Sequence, residues 1–192
     1  MEIQAIRQRL ESDLADARKV LVGIGAEWRE KEETCGAAEA CGDPVEDRGS
    51  AEKARKVAAE ALRALLKDKD YFIITTLSKE EILKLGFEKD HIVAPLDVSL
   101  TEQEWNHYME WLAGTLNKKT VLLELGEGFE HPSLIRWPFE KTTLLNYKAY
   151  LYRIHGKFYH ITDELKEKAV AVNMDSVQFL AGRKEEQHGS DQ

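Results

Sequence analysis

Lys19-Val20-Leu21-Val22-Gly23-Ile24-Gly25 is a short apolar run, rich in β-branched residues, that stops at glycine. It is too short for a helix and apolar on both sides, so it reads as a strand buried on two faces. Similar runs follow at Tyr71–Thr76, Ile92–Ala94, Val121–Leu125, Ala149–Ile154 and Ala169–Val172. Helical patterns separate them. Ile3, Ile6, Leu10, Leu14 and Ala17 recur at helical spacing, and Ser50 is placed to cap a helix carrying Ala54, Val57, Ala58, Ala61, Leu62 and Leu65. Ser78 with Glu81 and Thr101 with Glu104 form capping boxes, and Asp175 is placed to cap a last helix. Strands alternating with helices, the strands apolar throughout, specify an α/β fold: a three-layer Rossmann-like domain with a mostly parallel central sheet. The domain is expected to span residues 1–182, with a disordered charged tail over 183–192.

The 192 residues include 27 basic and 35 acidic ones, a net charge of −8 with His neutral. That balance argues against nucleic-acid binding, which needs a basic face to displace phosphate counterions. No apolar run approaches the ~20 residues that cross a bilayer, so no membrane partner is expected. The opening MEIQAIRQRLESDL is charged throughout, unlike a signal peptide, and a cytoplasmic location is expected. Cys35 and Cys41 are the only cysteines and have no nearby His, so they are read as reduced thiols in the polar stretch Glu27–Gly49, and no zinc is expected. His107, His131 and His160 are scattered and form no metal spacing.

In open α/β sheets, ligands sit beyond the carboxyl ends of the strands. Those ends supply Gly23-Ile24-Gly25-Ala26-Glu27, Thr75-Thr76, Gly126-Glu127-Gly128-Phe129, Ile154-His155-Gly156 and Asn173-Met174-Asp175. Glycine lets backbone N–H groups approach a phosphate closely. GIGAEW carries two glycines of a dinucleotide fingerprint but has Trp28 at the third position, so a tight turn explains it equally well. Glu127 and Glu130 would repel a diphosphate, so they either face solvent, the reading adopted, or take ribose hydroxyls. Trp137 is read as a buried loop anchor. Trp105, Tyr108 and Trp111 are read as packing or as a partner face, which would suit a homo-oligomer.

FIITT, ELGEGFEHPSLIRWPFE, YRIHG and VNMDSVQFL, in that order and on strand ends, resemble the sirtuin family of NAD-dependent deacylases, most specifically over Leu123–Glu140. The likeness runs from about Leu14 to Leu180 and is nearest to divergent bacterial members. It implies an NAD or ADP-ribose pocket: Gly23, Gly25, Ala26 and Glu27 in the turn under the pyrophosphate, Thr75 and Thr76 beside the nicotinamide ribose. Gly126, Gly128 and Phe129 would form the later phosphate turn, His155 would lie near the adenosine ribose, and Met174 and Asp175 would close over adenine. On this reading Gly25→Val and Gly128→Val each fill phosphate space.

The sequence also departs from the family. Leu77-Ser78-Lys79 stands where sirtuins carry an Asn-x-Asp element, the His-Gly element is missing, and the four zinc cysteines have no counterparts. A helix from Thr101 to about Leu116 lies where the family inserts its zinc module. The resemblance therefore implies a sirtuin-like nucleotide-binding protein degenerate for lysine deacylation, a pseudoenzyme. Two alternatives stand beside it. One is a vestigial pocket on a protein-interaction module or homodimer. The other is an NAD-consuming ADP-ribosyl transferase or glycohydrolase, for which Glu27 and His91 are the candidate bases.

Overall fold

A computed structural model describes residues 2–30 and 46–188; Cys35 and Cys41 lie outside them. Six parallel strands form one sheet in the order β3-β2-β1-β4-β5-β6: β1 Lys19–Ile24, β2 Tyr71–Thr75, β3 Ile92–Val93, β4 Thr120–Leu125, β5 Ala149–Ile154 and β6 Ala169–Val172. The order reverses between β1 and β4, which creates the crevice typical of doubly wound folds. The register puts Thr75, Ile24, Leu125, Ile154 and Val172 in one row. The residues after each therefore share one edge of the sheet.

Successive side chains point to opposite faces, so β1 sends Val20, Val22 and Ile24 to one core and Leu21 to the other. The first core is covered by α1 (Ile3–Asp16), α2 (Glu46–Leu66) and α6 (Ser176–His188), with Ile82 from α3 (Lys79–Lys84). The second is covered by Tyr108 of α4 (Glu102–Ala113), Phe139 of α5 (Arg136–Leu145) and Leu165 from a short 3-10 turn. The three-layer Rossmann-like reading holds, and both capping boxes form at Ser78 and Thr101.

Several expectations are corrected. The second helix starts at Glu46, ahead of Ser50, and the last helix runs through Gly182 to His188. Residues 189–192 lie outside the described ones. The sequence pattern marks no element between β4 and β5, yet α5 forms there with Pro138 in its first turn. A proline is tolerated at that place because the first N–H groups of a helix have no intrahelical acceptor. Trp137 is 57% exposed on α5, while Ile135 and Phe139 anchor the segment at 0%. Trp105 and Trp111 of α4 pack against the second core. His91 stacks on Tyr71 at the start of β2, with its Nδ1 2.8 Å from the Tyr71 carbonyl oxygen. That is the edge opposite the crevice, about 16 Å away along the strand, so His91 is no base for a ligand bound there.

β4 and β5 each carry one charge into the second core. Glu124 and Arg153 are register partners, joined by two bonds of 2.8 and 2.9 Å. Arg153 also reaches Glu140, and Arg136 lies 3.2 Å from Glu124, so two guanidinium groups balance two carboxylates. The same arginines donate to the carbonyls of Phe158 and His160, which ties down the loop after β5.

Candidate functional site

At the shared edge, the ends of β1, β2, β4 and β5 and the start of α6 enclose a cleft of about 530 Å³. Seven of the twelve expected site residues line it: Ala26, Glu27, Thr76, Gly128, Phe129, His155 and Asp175. Glu127, Glu130, Gly156, Lys157 and Phe158 join them. The other five do not. Gly23 lies inside β1, where a Cβ would stand 2.4 Å from Ile135, so its bareness admits α5 rather than a ligand. Thr75 is fully buried and donates its hydroxyl to the Ile24 carbonyl. Met174 packs against the first core. Gly25 and Gly126 press the two glycine turns together. A Cβ on Gly25 would lie 2.5 Å from the Glu127 Cα, and one on Gly126, which holds φ +67°, would lie 2.5 Å from the Glu27 Cβ. The two turns thus pack directly on each other at these glycines.

Trp28, at the failed third position of the fingerprint, is 1% exposed and donates from Nε1 to Ser176 Oγ at 3.1 Å. Ser176 Oγ in turn donates to Glu27 at 2.7 Å. Glu27 also accepts from the backbone N–H groups of Gly156 and Ser176, each at 2.8 Å, and its Oε1 lies 3.0 Å from His155 Nδ1. That nitrogen is approached by the Lys157 N–H at 2.9 Å as well. Burial works against ionisation of Glu27, but these contacts outweigh it and hold its pKa below the usual value. Asp175 is pushed the other way by burial, although its carboxylate caps α6 by accepting from the Gln178 N–H at 2.9 Å.

Glu127 corrects the solvent-facing expectation. It is 2% exposed and accepts from Thr76 Oγ1 at 3.1 Å. Burial, reinforced by the nearby Glu124 and only partly countered by the Thr76 hydroxyl, raises its pKa from 4.5 to about 7. A carboxyl group there exchanges its proton near neutrality. No local pattern marks it, since a glutamate between two glycines reads as a solvated turn. Its burial arises because β2 and β4 flank β1, which brings Thr76 and the two glycine turns around it.

That raised value fixes a sign for stability. Between pH 4.5 and about 7 the folded chain holds a proton that the unfolded chain has released. Stability from this group is therefore complete below about pH 4.5 and declines as the pH rises through 7. Glu127→Gln is expected to match the wild type near pH 5 and to exceed it by about 2 kcal/mol near pH 8. The gain falls short of full linkage because the cleft admits solvent. Urea midpoints at the two pH values check this.

Among the described residues, no three His, Cys, Asp or Glu side chains converge as a metal-ligand set. Phe129 and Phe158 meet edge to face at 5.2 Å and give the cleft an aromatic rim. The residues suit a sugar and a base: Glu127 and Glu130 offer carboxylate oxygens to hydroxyls, and the phenylalanines offer apolar faces. They do not suit a diphosphate, given the packed turns and the acidic wall.

No family model matches the chain, and no curated protein matches it. Solved structures do. A complex of Sir2 with a p53 peptide and NAD+ superposes with a TM-score of 0.54 at 13% identity, covering 100% of both chains. Sir2Tm bound to a propionylated peptide gives 0.54 at 14% identity, covering 98% of this chain and 99% of that one. A structure addressing sirtuin substrate affinity gives 0.53 at 14%, covering 97% and 99%. The chain has a sirtuin-like fold.

Proposed function

We propose that this chain is a sirtuin-fold binding protein without lysine deacylase activity, and that its cleft takes a ribose and base, the nucleoside part that NAD and ADP-ribose share. The observation that carries this reading is a cleft of about 530 Å³ at the strand-order reversal, walled by carboxylates and by Phe129 and Phe158. Its size suits a small ligand, and the NAD+ in one structural neighbour points to the ligand class. Deacylation is set aside because the Asn-x-Asp and His-Gly elements are missing and His91 lies at the far edge of the sheet. We place the protein in the cytoplasm on its cysteine usage; among the described residues no helix is long and apolar enough to cross a membrane.

Incubation with NAD and an acetyl-lysine peptide is expected to release no nicotinamide above background. Turnover near ~1 s⁻¹ would refute the loss of activity. Gly128→Val is the matching probe of binding. A Cβ there meets only the Phe158 ring at 3.6 Å, an ordinary contact, so the variant should fold with an unchanged Tm. Its side chain narrows the cleft and is expected to weaken ligand binding by about tenfold or more.

A second reading is favoured by the direct packing of the turns at Gly25 and Gly126. On it the pocket is vestigial and the chain acts through protein contact or as a homodimer. Wild-type protein that binds no ribosyl ligand would select this reading.

A further inference from the structure

We infer that Glu27 is the specificity-determining residue of the cleft, and that its fixed carboxylate makes the cleft prefer nucleosides to their diphosphate-bearing counterparts. The inference rests on the reading that the cleft takes a ribose-and-base ligand. Glu27 is held from several sides. Gly156 N–H, Ser176 N–H and Ser176 Oγ donate to it at 2.7–2.8 Å, and His155 Nδ1 stands at 3.0 Å. Trp28 Nε1 donates to Ser176 Oγ, which commits that hydroxyl's proton to Glu27. On the other side, the Glu27 Cβ fills the place that a side chain on Gly126 would need. Swinging the carboxylate away would strip partly buried N–H groups of their partner.

Two consequences follow for a ligand. A carboxylate offers about four lone-pair sites, and three are taken by Gly156 N–H, Ser176 N–H and Ser176 Oγ, so Glu27 acts on a ligand chiefly by charge. The N–H groups that would otherwise face a phosphate are also already taken. Glu127 and Asp175 line the same cleft, and Lys157 is the cation among its lining residues. A diphosphate meets repulsion there, whereas a neutral nucleoside brings no charge and offers hydroxyls to Glu127 and Glu130. Glu27 sits in the turn that the sirtuin resemblance assigns to a pyrophosphate, so a single side chain converts that turn from attraction to exclusion.

Calorimetric titration of the full chain with adenosine and with ADP-ribose tests this. Wild-type protein is expected to bind adenosine about tenfold or more tightly than ADP-ribose. Glu27→Gln removes the charge while keeping shape and an acceptor oxygen. Glu27→Ala opens the space, and Glu27→Gln serves alone should the alanine variant not fold. Either folded variant should shift the ratio toward ADP-ribose by about tenfold. Ligands that bind with an unchanged ratio overturn the inference and leave the binding reading intact. Absence of binding by both ligands to both proteins overturns the reading and the inference with it.

Discussion

Arg153→Ala is expected to lower the unfolding free energy by about 3–5 kcal/mol, because it strands a buried carboxylate. Arg153 and Glu124 are each 1% exposed, and the guanidinium meets Glu124 through two bonds. Removing it leaves Glu124 with Arg136 alone and frees Glu140. For a chain of this length the loss corresponds to a fall in Tm of about 10 °C. The pair itself adds little over a well-packed apolar pair, since desolvation offsets most of the attraction. The double variant Glu124→Leu with Arg153→Met should therefore recover part of the loss. Thermal unfolding of the two variants beside the wild type checks both statements; an Arg153→Ala protein as stable as the wild type would contradict them. Ligand binding should weaken too, because Arg153 holds the His160 carbonyl in the loop that borders the cleft.

Gly25→Val is expected to destabilise the fold by about 3 kcal/mol, the upper end for overpacking. A Cβ at this position would lie 2.4 Å from Glu127 Oε2, 2.5 Å from the Glu127 Cα and 2.6 Å from the Gly126 carbonyl oxygen. The first of these belongs to a side chain that can turn aside; the other two are backbone and cannot. Lost binding in this variant would report a broken turn, not a blocked phosphate, which corrects the use of Gly25→Val as a binding probe. Gly128→Val has no such conflict. Urea unfolding should place the Gly25 variant well below the Gly128 variant. Equal midpoints would mean that the two turns are not pressed together.

Most of the sheet is legible in the sequence because buried parallel strands need apolar runs on both faces, and little else in a chain produces them. β1, β5 and β6 match their expected ranges, and both capping boxes form where a hydroxyl and a carboxylate stand three residues apart. α5 was not legible, because Pro138 reads as a breaker until its place in the first turn is known. The candidate site was legible only as a set of strand ends. That Thr76, Glu127, His155 and Asp175 share a cleft follows from strand order and register, which no local pattern states. The glycines misled for a related reason. Glycine marks close approach, but whether α5, a neighbouring turn or a ligand makes that approach is settled in three dimensions. Gly23 faces α5, Gly25 faces the Glu127 turn, and Gly128 borders the cleft.

The binding claim is tested most directly by titrating wild-type protein with adenosine in a calorimeter, to about 1 mM ligand, beside NAD and ADP-ribose. The expected result is saturable one-to-one heat with a Kd below about 1 mM, or about −4 kcal/mol, that is lost in Gly128→Val. No saturable heat with any of the three ligands would contradict a ribose-binding cleft.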